Sequence, residues 1–416
     1  MVIKRICVKN FKSFKELDVD LGKFNVLIGP NASGKSNFIQ IFKFLRDLSM
    51  YGLDNAISMQ GGIEYLRNMK IGPSENLSIR VVFDKKFNVP ILSEKNQKFS
   101  MEVCEVIYDF VMEFKKRGLG FKSVNERLTL KCNFIEENTN KKLGEGKLIC
   151  SLNKGKLRIK LETPSKLPLK KEDIVFPPSL KLLESKLPNN ISILKVSFAI
   201  LPLIPIIDDL QNAAIYDIDP KLSKKATQIT GKFELEEDGS NLSIVLKNLI
   251  ENKEKKRKLY NLISELLPFV DDLNVEKFED KSLLFKLREK YFKEQYLPAS
   301  LISDGTINIT ALIIAVYFEE KPLTIIEEPE RNIHPYLISK VIEMMKDASR
   351  KKQIIVTTHN PEMVKYAGLD NILVVSRNKE GFSTISRPLD KKEIKVFLEN
   401  EIGIEELYVK NILGGI

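Results

Sequence analysis

The sequence predicts an α/β fold on a mixed, mostly parallel sheet, interrupted by a long insertion of antiparallel strands and helices. Three stretches carry the prediction. Lys23-Phe24-Asn25-Val26-Leu27-Ile28 reads as a buried strand that runs into Gly29-Pro30-Asn31-Ala32-Ser33-Gly34-Lys35-Ser36. Leu323-Thr324-Ile325-Ile326-Glu327-Glu328-Pro329-Glu330 is a short apolar strand ending in paired carboxylates. Gln353-Ile354-Ile355-Val356-Thr357-Thr358-His359 is another buried strand, ending in a histidine. Short apolar runs bounded by turn residues are the mark of strands covered on both faces.

The first stretch fits G-x-x-x-x-G-K-[ST], a phosphate-cradling loop. Its context is right, because Phe38, Ile39, Ile41, Phe42, Leu45 and Leu48 follow at helical spacing. Strand, glycine-rich turn and helix together point backbone N–H groups and a helix N-terminus at an anion. Gly29, Asn31, Ser33, Gly34 and Asn37 would form the cradle. Lys35 would reach the β- and γ-phosphates, and the Ser36 hydroxyl would ligate Mg²⁺.

The second stretch delivers its last side chains to the C-terminal edge of the sheet, where ligands bind in open α/β folds. One carboxylate can hold Mg²⁺ and the next can polarise an attacking water. The chain has only two histidines, His334 and His359, and both lie in this region. A lone histidine is more often structural than catalytic. His359, directly after a Val/Ile strand, suits a γ-phosphate sensor.

Together these residues resemble the ABC-type ATPase heads of the RecF/SMC/OLD-like branch, often labelled AAA-family ATPases. Four further runs support the resemblance. Asn10-Phe11-Lys12-Ser13-Phe14 resembles the N-F-[KR]-S-F that opens such heads, with its basic residue near the nucleotide. Leu301-Ile302-Ser303-Asp304-Gly305-Thr306 stands where the family carries its signature loop. Glu328-Pro329-Glu330 with His334-Pro335, and Thr357-Thr358-His359-Asn360-Pro361, resemble the E-P-E…H-P run and the switch segment of the OLD-like branch. Two positions depart from the wider pattern. Glu327 stands where an aspartate is usual, and the signature reads S-D-G-T rather than the transporters' S-G-G-Q. Gln60-Gly61-Gly62 is the nearest candidate for a glutamine loop, and an ordinary loop residue is an equal reading of Gln60.

The resemblance implies an ABC-type P-loop NTPase fold and a division of the chain. Residues 1–75 and 291–416 would form the head, and residues 76–290 the inserted region. It implies ATP and Mg²⁺ as ligands and a homodimer in which two heads sandwich the nucleotide. Lys12 and Lys35 would neutralise phosphate charge, and Ser36 and Glu327 would serve Mg²⁺. Glu328 would be the general base, and His359 would sense the γ-phosphate. Ser303 and Gly305 would contact ATP held by the partner. OLD nucleases add a Toprim domain, but only 57 residues follow His359, so a nuclease step is expected from a separate chain.

The insertion divides in two. Leu77–Phe83, Arg127–Phe134, Lys147–Leu152 and Lys156–Leu161 alternate as strands, and Asn153-Lys154-Gly155 reads as a hairpin turn. Val103–Lys116 is ambiguous between strand and helix. Beyond it, Pro164, Pro168, Pro177, Pro178 and Pro188 break the chain. Helices are expected over about 242–251 and 257–267, and another near 391–400. No sustained heptads occur, so long coiled-coil arms are not expected.

Composition bounds the partners. With 66 basic and 56 acidic residues the chain carries +10, at a pI near 9.1. Such a charge suits nucleic acid, DNA or RNA; a lysine- and glutamate-rich, thermophile-like composition accounts for it equally. Lysine clusters recur at 115–117, 154–160, 221–225 and 253–258. Cys7, Cys104, Cys132 and Cys150 lack metal-ligand spacing. The N-terminus has no signal-like apolar region, and the apolar stretch Val196–Ile207 holds two prolines and is too short to span a bilayer. A cytoplasmic location without membrane contact is expected. The competing roles are an ATP-driven enzyme of nucleic-acid repair or anti-phage defence, a nucleotide-switched scaffold for a protein effector, and, least supported, a transporter motor.

Overall fold

The computed structural model describes residues 2–91, 98–115, 120–165, 188, 191–196, 204–229, 231–278, 281–292, 294–388 and 404–410. Among them, a six-stranded sheet runs in the order Ala214–Tyr216, Leu323–Glu327, Gln353–Thr358, Phe24–Ile28, Ile372–Arg377, Ser383–Ser386. The first five strands are mutually parallel, and only the last pairing is antiparallel. The three chemistry-bearing strands are therefore neighbours at the centre, and all end at the same edge.

Side-chain alternation sends these strands into two cores. Leu27, Leu323, Ile325, Ile355 and Leu373 face one side, with the helix Lys35–Tyr51. Val26, Ile28, Ile326, Val356 and Val374 face the other, against the helices Asp304–Tyr317 and Pro335–Ala348. Apolar cover on both faces explains why these strands read as unbroken Val/Ile/Leu runs.

The first core is closed by an eight-stranded antiparallel sheet. Its path is Phe14–Asp20, Val2–Phe11, Leu77–Asp84, Phe99–Phe114, Phe121–Glu136, Lys141–Asn153, Lys156–Glu162, with Phe87–Ile91 paired on Phe99–Phe114. The ambiguous run after Val103 is strand, because Val106, Tyr108, Phe110, Met112 and Phe114 bury one alternating face. Lys154 and Gly155, with φ of 49° and 76°, make the tight turn of the last hairpin. Phe44 of the phosphate-loop helix meets Phe110 edge-on at 5.6 Å, tying this sheet to the helix that carries Lys35 and Ser36.

The later part of residues 76–290 holds the expected helices, Leu242–Glu251 and Lys253–Leu266. It also holds strands the sequence reading passed over. Val270–Phe278 and Ser282–Glu289 pair antiparallel, with a bulge between Val270 and Asp272 that breaks the alternation. Ala214–Tyr216 becomes the edge strand beside the acidic strand. The helix expected near 391–400, Pro168, Pro177 and Pro178, and most of the basic cluster at 115–117 lie outside the described residues. No described helix is long and apolar enough to cross a membrane. All four cysteines are free.

Candidate functional site

Gly34 sits at φ 119°, and a Cβ there would come within 2.2 Å of Ser383 Oγ, so only glycine suits this turn. The same Ser383 hydroxyl donates to the Ser33 carbonyl, and Arg377 Nε donates to the Ala32 carbonyl at 2.8 Å. The last two strands of the sheet thus brace the phosphate loop from behind. Asn37 Nδ2 donates to Ser13 Oγ at 2.8 Å. Lys12, at φ 44°, donates through Nζ to the Tyr65 carbonyl and lines a cavity of about 410 Å³ beside the loop, with Tyr65, Arg67, Lys70, Arg377 and Phe382. Burial lowers the Lys12 pKa.

Lys35 is nearly buried, and its ammonium folds onto the Gly29 and Pro30 carbonyls at 2.7 and 3.1 Å. Burial pushes its pKa down, and Glu328, Glu330 and Glu327 oppose that. A phosphate arriving in the loop would satisfy the same cation. Ser36 Oγ donates to Glu327 Oε2 at 3.4 Å, which brings together a hydroxyl and a carboxylate 291 residues apart. Burial first, and then the nearby Asp217, raise the Glu327 pKa. A hydroxyl and a carboxylate side by side make an all-oxygen pair that fits Mg²⁺.

Glu328 follows at φ 45°, its amide donating to the Thr357 carbonyl at 2.9 Å. Its two carboxylate oxygens are gripped separately. Oε1 lies 2.9 Å from His359 Nδ1, and Oε2 accepts from Arg331 Nη2 at 3.3 Å. Burial would raise this pKa, but the hydrogen bonds and charges of His359 and Arg331 outweigh it and hold the group below the usual range. The carboxylate is therefore ionised at neutral pH. Glu330 points inward instead, accepts from the Thr358 hydroxyl, and has its pKa raised by burial. It pins the turn after the acidic strand to the end of the histidine strand.

Lys35, Ser36, Glu327, Glu328 and His359 are thus brought to one sheet edge. Ser303 and Gly305 make no described hydrogen bond to them. Ser303 caps the helix Asp304–Tyr317 by accepting from Thr306 N, and a Cβ on Gly305 would come within 2.5 Å of the Asn332 carbonyl. Asp304, the carboxylate beside Ser303, is paired with Lys224. Gln60 is buried at the end of the helix Leu53–Met59, with no described hydrogen bond to the site. Sequence reading missed Arg331 and Asp217. Arg331 was detectable in principle, three residues after Glu328 across a proline turn; Asp217 had no signal of its own.

A family model described as AAA ATPase domain matches residues 1–364. The chain belongs to the AAA ATPase domain family. This ATPase domain is also similar to the Old nuclease of Escherichia phage P2, at 24% identity over 410 residues, covering 94% of this chain and 61% of that protein. It is similar to the chromosome partition protein Smc of Fusobacterium nucleatum, at 32% identity over 133 residues, 31% of this chain and 11% of that one. The chain thus spans between about a tenth and three-fifths of the length of these two relatives. Among solved structures, an SMC head bound to the C-terminal winged-helix domain of ScpA aligns over 93% of this chain and 98% of that one. The TM-score is 0.50 at 15% identity. The ATPase domain is an SMC-head-like α/β fold, and the expected ABC-type, RecF/SMC/OLD-like assignment holds.

Proposed function

We propose that this ATPase domain binds Mg²⁺-ATP and hydrolyses it to ADP and phosphate in a site completed by a second copy of the chain. The observation that carries the proposal is the meeting of Ser36 with Glu327 beside Lys35, while the adjacent Glu328 is held by His359. Lys35 and the loop amides neutralise the phosphates. Ser36 and Glu327 would hold Mg²⁺, which would supply positive charge to the phosphates. Glu328 orients and polarises the attacking water. As an ionised carboxylate it can also take the water's proton as general base. His359, with Nδ1 engaged by Glu328, carries Nε2 as its second polar atom for the γ-phosphate. Ser303 and Gly305 face ATP on the partner copy, and Lys12 serves the nucleotide from the neighbouring cavity. ATP hydrolysis by the intact chain, lost in Glu328→Gln while ATP binding remains, is the test.

We infer further that the cycle acts on nucleic acid, in repair or anti-phage defence in the cytoplasm. Support comes from the outer face of the antiparallel sheet. One row of facing residues runs Arg80, Asp109, Arg127, Ser151, Arg158 across five strands. Arg80 is paired with Asp109, whereas Arg127, Lys156 and Arg158 make no ion pair with a described carboxylate. They line a cavity of about 850 Å³ with Asn125, Ser151 and Asn153. Guanidinium, ammonium, amide and hydroxyl donors on a broad face suit phosphate oxygens. Among the described residues no aromatic lines it, so backbone contact is favoured over base stacking. The basic cluster at 253–258 is less available, because Lys258 stacks on Tyr317 and Phe318 and Lys256 lies 3.8 Å from Asp272. The second reading is a nucleotide-switched scaffold for a protein effector, favoured by the SMC head having been captured with a domain of another protein.

A further inference from the structure

We propose that Arg331 is a positioning residue for Glu328, and that Asp217, from the inserted segment, holds Arg331 in place. This rests on the reading of Glu328 as the group that orients the attacking water. The acidic strand ends at Glu327, and Pro329 turns the chain back at once, with Arg331 N donating to the Glu328 carbonyl at 3.0 Å. The turn puts the Glu328 and Arg331 side chains together. One prong of the guanidinium, Nη2, donates to Glu328 Oε2 at 3.3 Å. The other, Nη1, lies 3.0 Å from Asp217 Oδ1 and 3.5 Å from the Ile218 carbonyl.

The backbone explains why Asp217 can reach. The edge strand Ala214–Tyr216 lies parallel to the acidic strand, with Tyr216 opposite Ile326. Asp217 is therefore the residue level with Glu327, at the same sheet edge. Its amide is fixed on the Glu237 carbonyl at 2.9 Å. A planar fork holds two carboxylates on separate prongs in a fixed geometry, whereas a lysine offers a point charge on a flexible stem. With His359 on its other oxygen, Glu328 has one orientation left.

The arrangement is poorly explained as a stability device. Arg331 and Asp217 side chains are 38% and 55% exposed, and ion pairs that open to solvent contribute little to folding. What the pair does fix is a side chain on strained backbone, and misplacing a reacting group costs turnover rather than ground-state binding.

Steady-state ATP hydrolysis, equilibrium ATP binding and thermal melting of the full chain test this with Arg331→Gln, Arg331→Lys, Asp217→Asn and the Arg331→Gln/Asp217→Asn pair. We expect kcat to fall between about tenfold and a hundredfold in Arg331→Gln, with KM and ATP affinity within about twofold. Arg331→Lys should recover part of the loss. Asp217→Asn should lose less, and the pair should be no worse than Arg331→Gln alone, because Asp217 acts through Arg331. Unchanged or raised kcat in both Arg331 variants, additive losses in the pair, or losses that follow a lowered melting temperature would overturn the proposal. Glu328→Gln separates the two failures. If it abolishes turnover and the Arg331 variants do not, only the positioning role falls. If it leaves turnover intact, the reading of Glu328 falls with it.

Discussion

Ser36 Oγ and Glu327 Oε2 stand 3.4 Å apart although 291 residues separate them in the chain. The sheet makes this contact. Phe24–Ile28 and Leu323–Glu327 flank the histidine strand, so their C-terminal ends open onto one site. With Lys35 folded onto its own loop, the cation waits on carbonyls that an arriving phosphate would replace.

Lys35→Ala should therefore abolish ATP binding, because the phosphates lose their one fixed cation inside the loop. Equilibrium binding with a fluorescent ATP analogue checks it, with the melting temperature of the variant as the folding control. Unchanged affinity would mean that the nucleotide sits elsewhere.

Ser303→Arg should obstruct contact with a partner's nucleotide and spare the subunit's own pocket. Leu301, two residues earlier, is 70% exposed, so this loop already faces outward. On the Glu328→Gln background, ATP should drive dimers that light scattering detects, and Ser303→Arg should return them to monomers with ATP affinity intact. Dimers that persist in the double variant would show that the composite site is not built around Ser303.

Much of the site was legible because its chemistry sits in contiguous runs. The phosphate loop, Glu327-Glu328 and His359 each end a short apolar strand, and a parallel sheet forces such ends together. Arg331 and Asp217 were not singled out because their meaning lies in pairing. Nothing local says that Ala214–Tyr216 adds to the sheet, since three residues leave no period to detect. Val270–Phe278 hid for a related reason, a bulge at Asp271 that breaks the alternation.

If the outer sheet face takes nucleic acid, Arg127→Glu with Lys156→Glu and Arg158→Glu should weaken binding with little sequence preference. ATP affinity should not change. For four neutralised phosphates, log K should fall with a slope of about −3.6 against log salt. Fluorescence anisotropy with duplex and single-stranded oligonucleotides at several salt concentrations reads this. The absence of binding at low salt, with or without ATP, would favour the protein-effector reading.

Glu126 makes a stability prediction independent of the site. It is fully buried and accepts from the Tyr108 and Ser192 hydroxyls and Ile193 N, and burial lifts its pKa to about 7. The native state keeps this proton to higher pH than the unfolded chain does. Stability is then fully present below the unfolded carboxyl's pKa near 4.5 and declines as pH rises through about 7. The loss approaches about 3 kcal/mol. Glu126→Gln should flatten melting temperature between pH 5 and 8 and raise it at pH 8. An unchanged pH slope would show that Glu126 does not titrate in this range.

Hydrolysis by Glu328 is tested by ATP turnover in Glu328→Gln with Mg²⁺ present, measured beside ATP binding to the same protein. Glutamine keeps the size and hydrogen-bonding reach of the side chain but not its charge. ATP should bind as tightly as in the parent chain, with turnover lowered by ~10²–10⁴. Turnover within about twofold of the parent would contradict the role of Glu328 in hydrolysis.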